Sequence, residues 1–163
     1  MEIRILKPSD VSESYVEWFS NKEIVRYSDN QYRSFSIKGQ RLYVENCLKN
    51  KEIRLYGIFI EEIHIGNIVL NGIGSIHKRA EITYVIGEQK YWGKGITTKA
   101  ISTIINISRA EYNLNKLFAG IAEKNIGSKK VLEKNGFNLE GIRKKHLYYN
   151  NDFQDQLDYG LIL

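Results

Sequence analysis

Two glycines, Gly93 and Gly95, flank Lys94 at the point where strand character gives way to helix character, an arrangement suited to holding a phosphate. Upstream, Ala80 to Gly87 reads AEITYVIG, a strand pattern. Downstream, Ile96, Ala100, Ile101, Ile104, Ile105 and Ser108 return at three- and four-residue spacing, which predicts a helix from Ile96 to Arg109. The first N–H groups of a helix lack partners within it, and the positive end of its dipole faces outward, so an anion is stabilised there. Glycine lets the backbone approach that anion without a Cβ between them. Candidate contacts are Lys90, Tyr91, Trp92, Gly93, Lys94, Gly95, Ile96 and Thr97, although a tight connection with a solvated lysine has the same local sequence. A P-loop requires a glycine separated by four residues from Gly-Lys-Ser/Thr, and here Gly93-Lys94 is followed by Gly95. A dinucleotide fingerprint requires a third glycine where this chain has Thr98.

A second constellation follows a predicted strand, Lys116 to Ala122, where Asn125 and Ser128 open a further helix, Ile126 to Lys134. An amide and a hydroxyl there can position a substrate and move a proton, or simply cap the helix. Other chemistries find less support. His64, His77 and His146 have no metal-ligand spacing and no cysteine companions, so no metal is expected; His64 and His77 fall in predicted turns and are expected to be solvated. The Gly-x-Ser-x-Gly elbow of serine hydrolases is absent. The only cysteine, Cys47, lies in the predicted helix Ile37 to Leu48 on a stripe with Val44 and Leu48, where a buried structural thiol is expected.

Lys90 to Gly95 fits the pattern [QR]-x-x-G-x-[GA] with lysine in the Gln/Arg place, and Asn125 to Phe137 reads N-x-x-S-x-x-V-L-E-K-x-G-F. Together, in this order, these segments resemble the GCN5-related N-acetyltransferase (GNAT) superfamily, in particular its ribosomal-protein N-acetyltransferase (RimJ/RimL)-like subgroup, over the chain from Ala80 onward. The resemblance implies an α/β (α+β) fold, a single mixed, mostly antiparallel central sheet flanked by helices. It implies that the strands Ala80 to Gly87 and Lys116 to Ala122 run parallel and splay apart, so that backbone near Thr83, Tyr84 and Val85 bonds the pantetheine arm of acetyl-CoA and polarises its thioester. Acetyl-CoA is then the acyl donor, with Lys130 added to the turn residues as a cofactor contact.

Transfer to an amine needs a neutral nucleophile, a stabilised oxyanion and a proton for the departing thiolate. The tyrosine that many relatives carry in the helix after Asn125 corresponds to Leu132 here, which removes the usual acid. The resemblance shifts that role to Ser128, with Asn125 positioning and with Tyr148 and Tyr149 as alternatives, and assigns Glu81 as base beside the acceptor. The acceptor is expected to meet the segment from Asn21 to Phe35, through Arg26, Tyr27 and Tyr32, with Asp29 and Arg33 nearby. A small-molecule amine or amino sugar is the expected partner; a protein N-terminus and a polyamine are the alternatives within the reaction. A non-catalytic acyl-CoA-binding domain is the alternative outside it, supported by Leu132.

The elements that must position these residues read as strand Glu2 to Lys7, helix Ser9 to Ser20, an irregular polar and aromatic stretch to Phe35, and a helix from Ser36. Strands Ile53 to Ile60, Ile65 to Ile73 and Ala80 to Gly87 follow with short links, so they form an antiparallel meander. Strands near Leu139 to Tyr148 and Phe153 to Leu163 close the chain. At 163 residues with 42% hydrophobic composition the expectation is one domain, 1–163, with an acceptor-side half 1–79 and a cofactor-binding half 80–163. The net charge of +5 and pI near 9.2 come from lysines and arginines spread among acids, without a zinc-finger, RNA-recognition or recognition-helix pattern, so nucleic acid is not the expected ligand. No apolar stretch approaches the ~20 residues that span a bilayer, and no signal region opens the sequence, so a cytoplasmic monomer or homodimer is expected.

Overall fold

The meander sits at the centre of a seven-stranded sheet in the order β1-β2-β3-β4-β5-β7-β6, and the computed structural model describes every residue from 1 to 163. The strands are β1 (Glu2–Ile5), β2 (Ile53–Ile60), β3 (Ile63–Asn71), β4 (Arg79–Ile86), β5 (Lys116–Ala122), β6 (Asn138–Tyr149) and β7 (Asp152–Ile162). All neighbours are antiparallel except β4 and β5. The helices are α1 (Glu13–Trp18), α2 (Lys22–Val25), α3 (Ile37–Lys49), α4 (Ile96–Ala110) and α5 (Ile126–Lys134).

Alternation along the strands builds two cores. Ala80, Ile82 and Ile86 of β4 point to one face, with Tyr56, Ile58, Ile68 and Leu70, and meet Ala100, Ile101, Ile104 and Ile105 of α4. Complete burial of an isoleucine stabilises by about 1.5–3 kcal/mol, so the three isoleucines of α4 fix the helix to the sheet. The opposite face carries Leu55 and Phe59 and packs against Tyr15 and Trp18 of α1 and Val44 and Cys47 of α3. Cys47 is buried and unpaired.

The first half departs from the predicted elements where polar side chains intervene. The helix expected over Ser9 to Ser20 is broken into a 3₁₀ turn at Pro8–Asp10 and α1, because the Ser12 hydroxyl accepts the Tyr15 amide at 3.2 Å and starts a new helix. The stretch to Phe35 holds α2 and a 3₁₀ turn at Asp29–Tyr32, opened by Asn21 and Ser28 in the same way. The third strand begins two residues earlier than expected, which moves His64 from a turn into β3. There it lies between the rings of Tyr15, Trp18 and Phe59, at centroid distances of 5.1, 4.9 and 5.0 Å, rather than in solvent.

Pairing of β4 with β5 is confined to Arg79↔Lys116, Ala80↔Leu117 and Glu81↔Phe118. Beyond it, β4 stays with β3 as far as Ile86 and β5 stays with β7 as far as Ala122. The sheet therefore opens as a wedge between two strands that each keep an outer partner. The outer edge at β6 is protected differently: its register slips twice and it carries Arg143, Lys144 and Lys145, which disfavour pairing with another strand.

Candidate functional site

The turn before α4 is shaped by its glycines. Gly93 and Gly95 have φ of 72° and 75°, the left-handed region, and a Cβ built on either would meet nothing within 4 Å. Open space stands above both. None of the six backbone N–H groups from Gly93 to Thr98 donates to a backbone acceptor or to a side chain, and Gly95 provides no side-chain cap. Six free donors at the positive end of a 15-residue helix fit a pyrophosphate. Lys90 and Lys94 flank the turn, their ammonium groups 5.2 and 5.9 Å from the Tyr91 ring centre, and both are exposed.

The wedge leads away from this turn. The Gly87 amide bonds Ile65 O, and Lys78 O accepts the Asn115 and Lys116 amides, so odd residues of β4 turn their backbone to β3 and even ones to β5. Beyond Glu81 the backbone groups on the β5 side face the gap. The Ile86 carbonyl is taken by the Trp92 indole at 2.8 Å, which leaves the N–H and C=O of Tyr84 as the free pair. Thr83 and Val85 bond toward β3 instead, and their side chains line the cavity. Of the three backbone positions expected to face the gap, only Tyr84 does so.

Across the wedge stands the start of α5. The Asn125 side chain accepts the Ser128 amide at 3.1 Å, an N-cap, while the Ser128 hydroxyl is left to the cavity and the neighbouring Tyr84 phenol. The Tyr84 hydroxyl donates to Ser128 O at 3.3 Å, tying β4 to α5 across the gap. Burial, only partly offset by the neighbouring Ser128 hydroxyl, pushes the Tyr84 phenol up to about 12. It stays protonated at neutral pH.

One cavity of about 1030 Å³ passes through the wedge from one face of the sheet to the other. On the α4 and α5 side it meets Gly93, Gly95, Thr97, Ser128 and Lys130. On the α1 to α3 side it meets Gln40 of α3, Asn67 of β3, and Arg26, Tyr27, Arg33 and Phe35 from the segment between α1 and α3. The ionisable side chains around it are Glu23, Arg26, Arg33, Lys130 and Lys134, apart from tyrosines. Glu23 is held by Arg26 at 3.1 Å. A cavity with two mouths, a phosphate cradle at one and a neutral to cationic chamber at the other, can bring two substrates together at the Tyr84 backbone.

Asn125, Ser128, Thr83, Tyr84, Val85, Tyr91, Trp92, Gly93, Gly95, Ile96, Thr97, Lys130, Arg26 and Tyr27 all line this cavity. Glu81 does not: it shares a face with Thr83 but lies one pleat further from the opening, half-buried and without a hydrogen bond or ion pair. Tyr32 also lies outside, its hydroxyl donating to Tyr148 O at 2.7 Å. Tyr149 donates to Asp29 at 2.9 Å, and neither Tyr148 nor Tyr149 reaches the cavity. Leu132, at the position of the missing tyrosine, is wholly buried in the core under α4.

Three residues escaped the sequence reading. Gln40 is 5% exposed in the stripe Gln40, Val44, Cys47 of α3, and a polar residue in an otherwise apolar stripe was the available signal. Asn67, 4% exposed, interrupts the apolar run of β3. His64 Nε2 lies 2.8 Å from Asn67 Oδ1 and 3.1 Å from Gly66 O. Two oxygens require Nε2 to carry the proton, so His64 orients the Asn67 amide and turns its NH₂ toward Tyr15 and the cavity. No group of three or more His, Cys, Asp or Glu side chains gathers to hold a metal.

Comparison with known proteins agrees with this geometry. The family model described as an acetyltransferase (GNAT) domain matches residues 1–138. A probable N-acetyltransferase of Bacillus subtilis (strain 168), YjcK, is 31% identical over 147 residues, covering 85% of this chain and 77% of that protein. A spermidine N(1)-acetyltransferase of Vibrio cholerae serotype O1 is 28% identical over 137 residues, covering 83% of this chain and 78% of that protein. The structure of RimL, a ribosomal L7/L12 alpha-N-protein acetyltransferase in complex with coenzyme A, superposes with a TM-score of 0.88 at 23% identity, covering 99% of this chain and 93% of that one, and so shares the fold.

Proposed function

The chain belongs to the GNAT family of acetyl-CoA-dependent N-acetyltransferases, within the RimJ/RimL-like subgroup, and from that premise we propose that it acetylates the primary amine of a small molecule or an amino sugar by direct attack in a ternary complex. The observation that carries this reading is the cavity running through the β4/β5 wedge from the glycine turn to the chamber under α3. Acetyl-CoA supplies an activated acyl group as a thioester. The free amides from Gly93 to Thr98 take its pyrophosphate, with Lys130 as a further cation, and the backbone of Tyr84 takes the pantetheine amides.

The attacking amine enters from the α3 side. Its nitrogen forms a bond to the acyl carbon while the C–S bond breaks; the nitrogen loses a proton and the sulfur gains one. Ser128, with its hydroxyl at the far lip beside the Tyr84 phenol, is the proposed donor to sulfur, and Asn125 holds that lip in place by capping α5. Before the attack, an acceptor that arrives as an ammonium ion is proposed to lose its extra proton through water along the β4 face to Glu81, about 7 Å down the strand from Thr83. The buried, protonated Tyr84 phenol keeps the wedge spaced at the reacting end.

The test is thiol release from acetyl-CoA with a panel of amino sugars, amino acids, polyamines and N-terminal peptides, with calorimetric binding of acetyl-CoA alongside. Saturable release with a small amine or amino sugar supports the reading. Preference for N-terminal peptides moves the acceptor to proteins, and acetyl-CoA binding without release by any amine converts the protein to a binding domain.

A further inference from the structure

Four buried side-chain polar atoms lack any partner in the chain: Gln40 Oε1, His64 Nδ1, Ser108 Oγ and Gln154 Oε1. Of these residues only Gln40 lines the cavity. It occupies the buried stripe of α3 beside Val44 and Cys47, where an apolar side chain of similar size would leave no bond unmade. A carboxamide oxygen placed there without an internal donor is available to a donor that arrives with a ligand.

The charges around the same chamber narrow the ligand. Its one carboxylate, Glu23, is already paired with Arg26, and Arg26 in turn lies 5.0 Å from the Tyr27 ring centre. Arg33 has neither an ion pair nor a hydrogen bond from its guanidinium. Lys130 and Lys134 belong to α5 on the other side of the wedge. A polycation would therefore find no free carboxylate on the α3 side and one unpaired guanidinium, whereas an anionic substituent would find a bidentate partner.

Resting on the transferase reading above, we propose that the acceptor is an amine bearing an anionic group together with O–H or N–H donors, recognised by Arg33 and Gln40 respectively, and that polyamines are excluded. Asn67, its amide fixed by His64, adds a donor on the adjoining wall. The acceptor is thus read by one cation, one neutral acceptor and one neutral donor, and specificity comes from the missing carboxylate as much as from the groups present.

The experiment measures binding separately from turnover. The full chain is saturated with coenzyme A, and the affinities of two matched pairs, ethanolamine with phosphoethanolamine and glucosamine with glucosamine 6-phosphate, are measured by calorimetry beside spermidine. At least one anionic member is expected to bind 10-fold or more tighter than its neutral parent and than spermidine. Arg33→Gln should remove that preference. Gln40→Leu should weaken the same probe about 10-fold, yet leave the thermal midpoint of the free protein unchanged or raised, an outcome that a merely structural Gln40 would not produce. Gln40→Glu should bring spermidine up toward the anionic probes. Spermidine as the tightest probe of the wild type, no discrimination within either pair, or no binding of any probe overturns the proposal. Thiol release is scored apart: ordered binding without turnover defeats the transferase reading alone, and turnover on spermidine defeats this proposal alone.

Discussion

The proton transfers proposed for Ser128 and Glu81 are of unequal difficulty. The leaving thiolate has the ordinary thiol acidity, pKa about 8.5, so it departs with little help and its protonation is a modest part of the barrier. Ser128→Ala is therefore expected to lower kcat on the order of 10-fold, below the roughly 10²- to 10⁴-fold usual for a general acid, with acetyl-CoA affinity unchanged because the Ser128 amide, not its hydroxyl, is the group engaged by Asn125. Unaltered kcat would leave Ser128 as the first turn of α5 and nothing more. The role proposed for Glu81 lies at the other end of the reaction, on the ammonium proton that must leave before the neutral amine can attack. Glu81→Gln should lower kcat/KM about 10-fold near neutral pH, and the deficit should shrink as pH rises, because a growing fraction of the acceptor is then neutral without assistance. A pH–rate profile parallel to that of the wild type would remove Glu81 from the mechanism.

The same two helices that bury the core also aim the site, and the elements make sharper predictions than the residues. At Gly95, φ of 75° starts α4 and open space lies above the Cα. Aspartate is among the few side chains that visit that conformation, and open space receives it, so Gly95→Asp should fold with a stability loss of about 1 kcal/mol. Its charge would meet the pyrophosphate at about 4 kcal/mol for 4 Å in a medium of effective dielectric 20, reduced by solvent at the rim to an affinity loss on the order of 100-fold. Calorimetry on a variant with a native melting curve checks this. Gly87 behaves oppositely: a Cβ there would run into the Trp18 ring, where α1 crosses the end of β4. Gly87→Ala should cost about 1–3 kcal/mol in urea unfolding, since the indole is also tied through Nε1 to Glu88 at 3.2 Å and has little freedom to move.

Elements of this kind differ in how far the sequence reveals them. The second half was legible because α4 and its glycine turn carry a clean 3.6-residue period next to an apolar strand, and local rules suffice for both. The first half depends on Ser12, Asn21 and Ser28, each able to end one helix and begin another, and no period survives such interruptions. The turn was therefore readable down to its residues, while the chamber under α3 was not. Gln40 and Asn67 look like surface residues until the fold closes over them, and the distance of Glu81 from the cavity appears only once the wedge is in place.

At the scale of the whole molecule, His64 joins the acceptor chamber to the packing of α1 on the sheet. Burial lowers its pKa from the ordinary 6.5, against smaller opposing contributions from Asn67, Gly66 and Asp10. Its Nδ1 is buried without a partner, so a second proton there would have no acceptor. The unfolded chain accepts that proton at about pH 6.5 and the folded chain resists it until lower pH. The stability contributed by neutral His64 is therefore fully present above pH 6.5 and is lost progressively as pH falls toward the folded pKa. Asp10, held below the usual carboxylate range chiefly by its bond to Arg4, loses its contribution in a separate and more acidic window, below about 3.8. Among the groups with displaced titrations, His64 alone acts between pH 7.5 and 5.5. Urea unfolding across that range should show stability declining toward pH 5.5 in the wild type and a flatter profile in His64→Gln, which keeps a donor for Asn67 but has nothing to titrate. A wild-type profile as flat as the variant's would mean that α1 admits water to the imidazole, and that Asn67 is oriented by something other than a buried neutral His64.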